Sequence, residues 1–262
     1  MSQLHTETVT FVKHWNETLF SFRTTRASHI TFENGQYVTI GLEIDGRVIM
    51  RAYSIVSPNY DDELEFFSIK VQNGALTSHL QNIKEGDKIL VNSRPTGTLV
   101  DGHLLPGKHL YLLSTGTGLA PFLSIIQDPD IYETYEKVIL VHGVRFRSEL
   151  AYQDFICKQL PKNEYFGNEL AKKLIYYPSV TREVYHFNDE KRVGRITTLL
   201  TSGKLFLDIN MPHARPQSDR FMICGNDAML NDVMQILNQR GFKKADESQQ
   251  GHYVIEQAFI EQ

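Results

Sequence analysis

Cysteine is scarce. Cys157 and Cys224 are the only two in 262 residues and lie far apart, which excludes a disulfide framework, a zinc site built on cysteines and an iron–sulfur cluster. A basic excess is also missing: 27 Lys and Arg stand against 31 Asp and Glu, a formal charge of −4, so a general nucleic-acid binder is not expected. No apolar run approaches the roughly 18 residues needed to cross a bilayer, and Met1 to Trp15 contains no hydrophobic signal core. From these absences the expectation is a protein that meets no membrane and stays in a reducing cytoplasm. No repeat or low-complexity tract interrupts the chain.

The chain is long enough for one large domain or two ordinary ones, and its character changes near residue 100. Before that point short β-rich runs follow one another: Thr8 to Val12, Leu19 to Phe22, Tyr37 to Leu42, Val48 to Val56, Leu64 to Val71 and Ile89 to Asn92. Turn signals separate them, among them Asn34-Gly35, Asp45-Gly46, Asn73-Gly74 and Glu85-Gly86-Asp87. This pattern predicts a small antiparallel six-stranded β-barrel, with one helix over Leu76 to Ile83 that begins near Thr77 or Ser78.

From Lys108 onward strand and helix patterns alternate. Strands are predicted at His109 to Ser114, Lys137 to Gly143, Lys173 to Val180, Arg220 to Cys224 and Tyr253 to Phe259. Helices are predicted at Phe122 to Ile126, Ser148 to Gln159, Thr197 to Ser202 and Ala228 to Gln239. Such alternation specifies a parallel five-stranded sheet flanked by helices, an α/β domain. The expected division is residues 1–100, a linker over 101–107, and residues 108–262.

Four stretches carry chemistry. Arg51-Ala52-Tyr53-Ser54 opens a strand, so Arg51 and Tyr53 share one side and Ala52 and Ser54 the other. A guanidinium, a phenol ring and a small hydroxyl together suit a flat, partly anionic ligand. Thr115-Gly116-Thr117-Gly118-Leu119-Ala120-Pro121 lies between the first parallel strand and a helix, where backbone N–H groups can receive a pyrophosphate. Arg145 ends the second strand where an NAD enzyme would usually place an acid. Arg147 and, after the third strand, Arg182 add to it, and Arg195 precedes a helix. Together these favour NADP over NAD. Cys224-Gly225 ends the fourth strand, and its small residues allow a ligand ring to come close.

With Gly74-Ala75-Leu76-Thr77-Ser78, Val180-Thr181-Arg182-Glu183, Gly194-Arg195-Ile196 and Cys224-Gly225-Asn226, these stretches resemble, in order and spacing over nearly the whole chain, the bacterial-type ferredoxin (flavodoxin)–NADP reductases. The ending, Tyr253 to Gln262, looks like the subgroup whose chain runs a few residues past the flavin.

The resemblance implies an FAD-binding barrel followed by an NADP-binding α/β domain. It assigns Arg51 to the FAD pyrophosphate, Tyr53 to a stack on the isoalloxazine and Ser54 to a hydrogen bond near its reactive nitrogen, with Ala52 in the same motif. Phe67 would contact FAD, Ala75, Leu76 and Thr77 would meet its phosphates, and Thr117 would reach the flavin from the second domain. Gly116 and Gly118 would serve NADP, and Arg145, Arg182 and Arg195 would hold its 2′-phosphate. Cys224 and Glu256 would flank the nicotinamide as catalytic residues beside Ser54. Ala258 and Phe259 would cover the other flavin face, so that movement of the tail gates turnover.

The implied activity is electron transfer between NADPH, a two-electron donor, and ferredoxin or flavodoxin, a one-electron carrier, by a monomer without metal. Two features depart from the family pattern. Asp227 stands where many relatives carry proline, and the barrel half holds nine Lys and Arg against eleven Asp and Glu up to residue 97, although an acidic carrier favours a basic landing patch. The sequence establishes no such patch, which would have to assemble in space from Arg23, Arg26, Arg47 and others. The alternatives are an NAD(P)H-dependent flavin or ferric-chelate reductase and a redox-responsive flavin- or nucleotide-binding module.

Overall fold

The computed structural model describes residues 4–246 and 248–258. Within them the chain forms two compact units, one comprising residues 4–100 with 120–127 and 258, the other residues 101–119 with 128–257.

In the first unit six antiparallel strands, β1 (Leu4–His14), β2 (Leu19–Thr25), β3 (Tyr37–Ile44), β4 (Arg47–Ser54), β5 (Glu63–Ile69) and β6 (Lys88–Asn92), form one curled sheet in the order β4-β3-β6-β1-β2-β5. Period-two alternation sends Phe20, Phe22, Val38, Ile40, Phe66, Ile89 and Val91 into one core. Asp45 and Gly46 both have positive φ, 50° and 74°, which is the geometry of a tight two-residue hairpin turn. A bulge at Thr10 bends β1, and the sheet closes on itself where Ile55 bridges Phe66 and the Val56 N–H donates to the Glu65 carbonyl at 2.8 Å.

The helix expected over Leu76 to Ile83 is a single turn, α1 (Thr77–Leu80), with no side-chain cap. Gln81 and Asn82 donate their amides to the Ser78 carbonyl at 3.2 and 2.9 Å, competing with the main chain for the acceptor that the next turn needs. A second helix, α2 (Ala120–Ile126), packs in this unit, where its Ser124 hydroxyl lies 2.9 Å from Asn34 Oδ1 and 3.0 Å from the Ser57 carbonyl.

The second unit is built on β7 (His109–Thr115), β8 (Lys137–Val144), β9 (Leu174–Val180), a short hairpin β10 (His186–Phe187) and β11 (Glu190–Lys191), then β12 (Asp219–Gly225) and β13 (Tyr253–Gln257). Five of these are parallel in the order β13-β12-β7-β8-β9. The helices are α3 (Pro129–Thr134), α4 (Gly167–Lys173), α5 (Ile196–Thr201), α6 (Lys204–Asp208) and α7 (Asp227–Gln239). Tyr111, Leu113, Ile139, Val141, Phe221 and Ile223 point from the sheet into a core shared with α5, α6 and α7.

One expectation changes here. The helix predicted over Ser148 to Gln159 is a 3-10 turn at Arg147–Glu149 and a π-helix at Phe155–Gln159, separated where Tyr152 adopts φ +62° and breaks helical winding. Asp101 to Gly107 is fastened within the second unit: Leu104 bridges Gly251, Leu105 N–H donates to the Gly251 carbonyl at 2.9 Å, and Arg220 donates to the Leu105 and Pro106 carbonyls.

Candidate functional site

In the first unit, Arg51 to Ser54 do not open a strand but form the end of β4, because pairing already starts at Arg47 beside the hairpin turn; they pair residue for residue with Ile40 back to Tyr37 on β3. Arg51 is exposed, with its Nη1 on the Met50 carbonyl at 2.9 Å. Ala52, Tyr53 and Ser54 are half-buried. The Tyr53 ring meets Phe66 edge-on at 6.4 Å, and its hydroxyl lies 3.3 Å from Ser68 Oγ, which sets the ring's tilt. Phe67 is buried although it alternates out of the barrel core that holds Phe66. Ala75 is exposed, Leu76 is anchored in the barrel core, and Thr77 is buried with its hydroxyl 3.3 Å from the Val71 carbonyl. Ala258 is half-buried, and Phe259 lies outside the described residues.

In the second unit the Gly-rich turn is a 3-10 segment, Gly116–Leu119. Gly116 has φ +55° and a side chain there would meet open space, whereas a Cβ on Gly118 would sit 2.4 Å from the Cys224 carbonyl. One glycine leaves room beside the turn, and the other lets the turn lie against the end of β12. Thr117 is half-exposed between them.

The carboxyl ends of the parallel strands carry a row of polar residues in register: Glu256 on β13, Cys224 on β12, Ser114 on β7 and His142 on β8. All four are buried. Burial, and then the neighbouring Glu256 carboxylate, push the Cys224 thiol well above its ordinary pKa, so it stays a neutral thiol. Burial pushes His142 down to about 3, against a smaller upward pull from Glu149; its Nδ1 lies 3.0 Å from the Tyr176 hydroxyl. The Ser114 hydroxyl donates to the Val141 carbonyl at 2.9 Å. Ser114 and His142 were not singled out from the sequence, although two polar residues inside otherwise apolar parallel strands were a signal for them.

Three of the four arginines predicted at strand ends are brought together by main-chain bonds. Val144 pairs with Val180, the Thr181 N–H donates to the Val144 carbonyl at 3.0 Å, and the Arg182 N–H donates to the Arg145 carbonyl at 2.9 Å. Gly194 N–H donates to the Val180 carbonyl at 3.1 Å and the Ser179 hydroxyl to the Gly194 carbonyl at 2.7 Å, which places Arg195 beside the same strand end. Arg145, Arg182 and Arg195 are exposed. Arg147 is tied through its N–H to Glu183, and the Arg182 guanidinium lies over the Phe146 ring at 5.8 Å.

Arg145 has a positioning partner that sequence patterns did not single out. Glu149 takes the Arg145 guanidinium at 2.6 Å and the Arg145 N–H at 2.9 Å. Against the cost of partial burial, those bonds and that charge hold its carboxyl below the ordinary value. Three residues before Arg195, the buried Arg192 packs over the Tyr177 ring at 4.3 Å with Nη1 2.6 Å from Asp208 Oδ2, a close ion pair rather than an aligned hydrogen bond. Asp208 also accepts from the Tyr177 hydroxyl at 2.6 Å and from Lys204 at 2.8 Å.

Residues 7–100 match the family described as Oxidoreductase FAD-binding domain, and residues 112–235 match the one described as Oxidoreductase NAD-binding domain. The chain is 60% identical over 262 residues, the whole of both chains, to the ferredoxin–NADP reductases of Azotobacter vinelandii and Pseudomonas aeruginosa. A ferredoxin NADP+ reductase from Neisseria gonorrhoeae, solved with bound FAD and NADP, superposes with a TM-score of 0.89 at 31% identity, covering 99% of this chain and 100% of that one. The chain belongs to the ferredoxin–NADP reductase family. As in such reductases, the curled antiparallel sheet precedes a five-stranded parallel sheet.

The absence of a basic excess in the barrel half is matched by how its arginines are used. Arg23 and Arg26 do not furnish a free basic patch: Arg23 is held by Asp61 and Glu63 at 2.9 Å each and Glu65 at 3.1 Å, and Arg26 is spent on the carbonyls of Ile30, Asn59 and Asp61. Arg47 is exposed on the β3–β4 hairpin. Among the described residues no cluster of three or more His, Cys, Asp or Glu could hold a metal, and no helix is long and apolar enough to cross a membrane.

Proposed function

We propose that this reductase uses FAD to move electrons between NADPH and a one-electron protein carrier, ferredoxin or flavodoxin. The observation that carries this reading is the full-length likeness to ferredoxin–NADP reductases on a sheet whose adjacent strands β8 and β9 end just before Arg145 and Arg182, with Arg195 tethered beside them. The bound flavin and nicotinamide supply the hydride and single-electron chemistry, and the protein supplies orientation and charge.

Residues 1–100 form the FAD-binding domain and 108–262 the NADP-binding domain, joined through 101–107. Exposed Arg51 neutralises the FAD pyrophosphate, and half-buried Tyr53, its tilt set by Phe66 and Ser68, offers a face for a flat ring. Ser54 directs its hydroxyl toward the reacting end of that ring, while Ala52 and Phe67 shape the surface around it. Ala75, Leu76 and Thr77 meet phosphate at the short α1 turn, and Thr117 contacts the flavin. The open space at Gly116 fits an approaching nucleotide, and Gly118 keeps the turn against β12 to receive it.

Arg145, Arg182 and Arg195 bind the 2′-phosphate, and no acid ends β8 to favour a free ribose hydroxyl. Cys224 and Glu256 flank the nicotinamide. Because the Cys224 thiol is neutral, it shapes the nicotinamide seat rather than attacking it. Ala258 and Phe259 belong to a short extension past the flavin that must move aside for nicotinamide to enter. The protein works as a monomer in the cytoplasm.

Anaerobic titration with NADPH and, in parallel, NADH tests the reading. Bleaching of a flavin spectrum at much lower NADPH than NADH supports it, and a colourless protein that takes up no FAD overturns it. Faster turnover with free flavin or ferric chelates than with ferredoxin or flavodoxin would replace the carrier assignment.

A further inference from the structure

The barrel unit holds a pair of histidines that takes no part in the chemistry above. His5 on β1 and His29 in the loop after β2 bring their Nε2 atoms to 2.8 Å, with ring centroids 4.2 Å apart and ring planes inclined by 59°. The inclination excludes face-to-face stacking. Two imidazoles joined end to end by a straight N–H···N bond of that length would hold their centroids about 5 Å apart. The shorter separation means that the ring axes bend away from a straight bond, so the contact is not a linear end-to-end one.

That geometry selects among metal ions. An ion about 2.05 Å from each nitrogen would see the pair at roughly 86°, whereas a tetrahedral ion needs the nitrogens about 3.3 Å apart. An angle of about 90° between neighbouring ligands belongs to square-planar or tetragonal centres, the preference of Cu²⁺ and Ni²⁺.

The pair is also built in advance. Glu7, two residues along β1 from His5, is buried and uses its carboxylate to hold the loop, accepting from the Thr25 hydroxyl at 2.5 Å and the Ala27 N–H at 3.1 Å. The Thr8 N–H donates to Thr25 Oγ1 at 2.9 Å, and Arg26 donates to the Ile30 carbonyl at 2.8 Å from the other side of His29. Holding the loop at both ends of the segment removes much of the ordering cost from metal binding.

We propose that His5 and His29 form a bidentate surface site for a divalent transition metal of tetragonal preference, Cu²⁺ or Ni²⁺ ahead of Zn²⁺. Among the described residues no third His, Cys, Asp or Glu joins them, so the remaining positions fall to water or to a donor from another molecule. Calorimetric titration of the FAD-loaded protein with Cu²⁺, Ni²⁺ and Zn²⁺ alone, at one neutral pH, tests this. The expected result is one equivalent of Cu²⁺ bound more tightly than Zn²⁺, with His5→Ala and His29→Ala each weakening it at least about tenfold, because either change removes the chelate. Electron paramagnetic resonance of the Cu²⁺ complex should report two coordinated nitrogens, and fewer in each variant. His5→Gln and His29→Gln repeat the test should an alanine variant fold poorly. Equal Cu²⁺ affinity in wild type and double variant, or Zn²⁺ bound ahead of Cu²⁺, overturns the proposal and leaves the pair as a simple hydrogen bond.

Discussion

The Arg182 N–H donates to the Arg145 carbonyl at 2.9 Å, so the residues that follow two neighbouring parallel strands are fastened to each other through the main chain. Both guanidiniums therefore start from fixed, adjacent backbone positions. Arg182→Ala should raise the Kd for NADPH about tenfold or more, in keeping with roughly 1.5–3 kcal/mol for hydrogen bonds to a charged group, and leave NADH binding unchanged. Equal losses for both nucleotides in a fluorescence titration would remove the 2′-phosphate role.

Asp208 should prove necessary for the same specificity without touching the nucleotide. It pairs with Arg192 and accepts from Lys204 and Tyr177, and the Arg192 carbonyl accepts from the Val180 N–H at 3.1 Å just before Arg195. Asp208→Asn should cost less than the about 3–5 kcal/mol of a fully buried pair, because Lys204 is partly exposed. NADPH affinity should fall while NADH affinity does not. A variant with lower thermal stability and an unchanged NADPH-to-NADH ratio would leave Asp208 a purely structural residue.

The two glycines of the turn should respond differently to alanine. At Gly118 the new Cβ would lie 2.4 Å from the Cys224 carbonyl, a backbone atom that cannot step aside. Overpacking of this kind costs about 1–3 kcal/mol. At Gly116 space is open and only the positive φ, +55°, is penalised, about 1–2 kcal/mol. Urea unfolding should therefore rank Gly118→Ala below Gly116→Ala in stability, and the reverse order would show that the turn relaxes away from β12.

His142 predicts an acid sensitivity. Its folded pKa, about 3, lies below the ordinary 6.5 because burial disfavours the charged ring. A depressed pKa means stability that is complete above pH 6.5 and is lost as pH falls from there toward 3, with a slope of at most one proton, about 1.4 kcal/mol per pH unit. His142→Gln should flatten the fall in melting temperature over that interval. An unchanged pH slope would assign the acid lability to other groups.

Removal of residues 259–262 tests the tail. The expected outcome is tighter nicotinamide binding or faster flavin reduction in stopped-flow mixing with NADPH. If affinity and rate both stay at wild-type values, the tail does not gate the site.

Much of this protein could be read directly from its sequence. Alternation of apolar residues and the Asp45-Gly46 turn are short-range signals, and they specify the six antiparallel strands and their hairpin. The apolar runs from Leu110 to Leu113 and from Val138 to Val141 likewise mark strands buried on both faces. The motifs at Gly116 and Cys224 stand at strand ends because strand length and turn chemistry put them there, whereas Arg51 to Ser54, expected to open a strand, close β4. What tertiary structure decided is pairing between distant residues. Strand register aligned Glu256, Cys224, Ser114 and His142 across four strands. Folding gave Arg23 to three carboxylates rather than to a landing patch, set Asp208 behind Arg192, and brought His5 to His29. Local propensity acts over a few residues, whereas the partner of a buried charge or ring is chosen by which strands and loops pack together, and no local pattern encodes that choice.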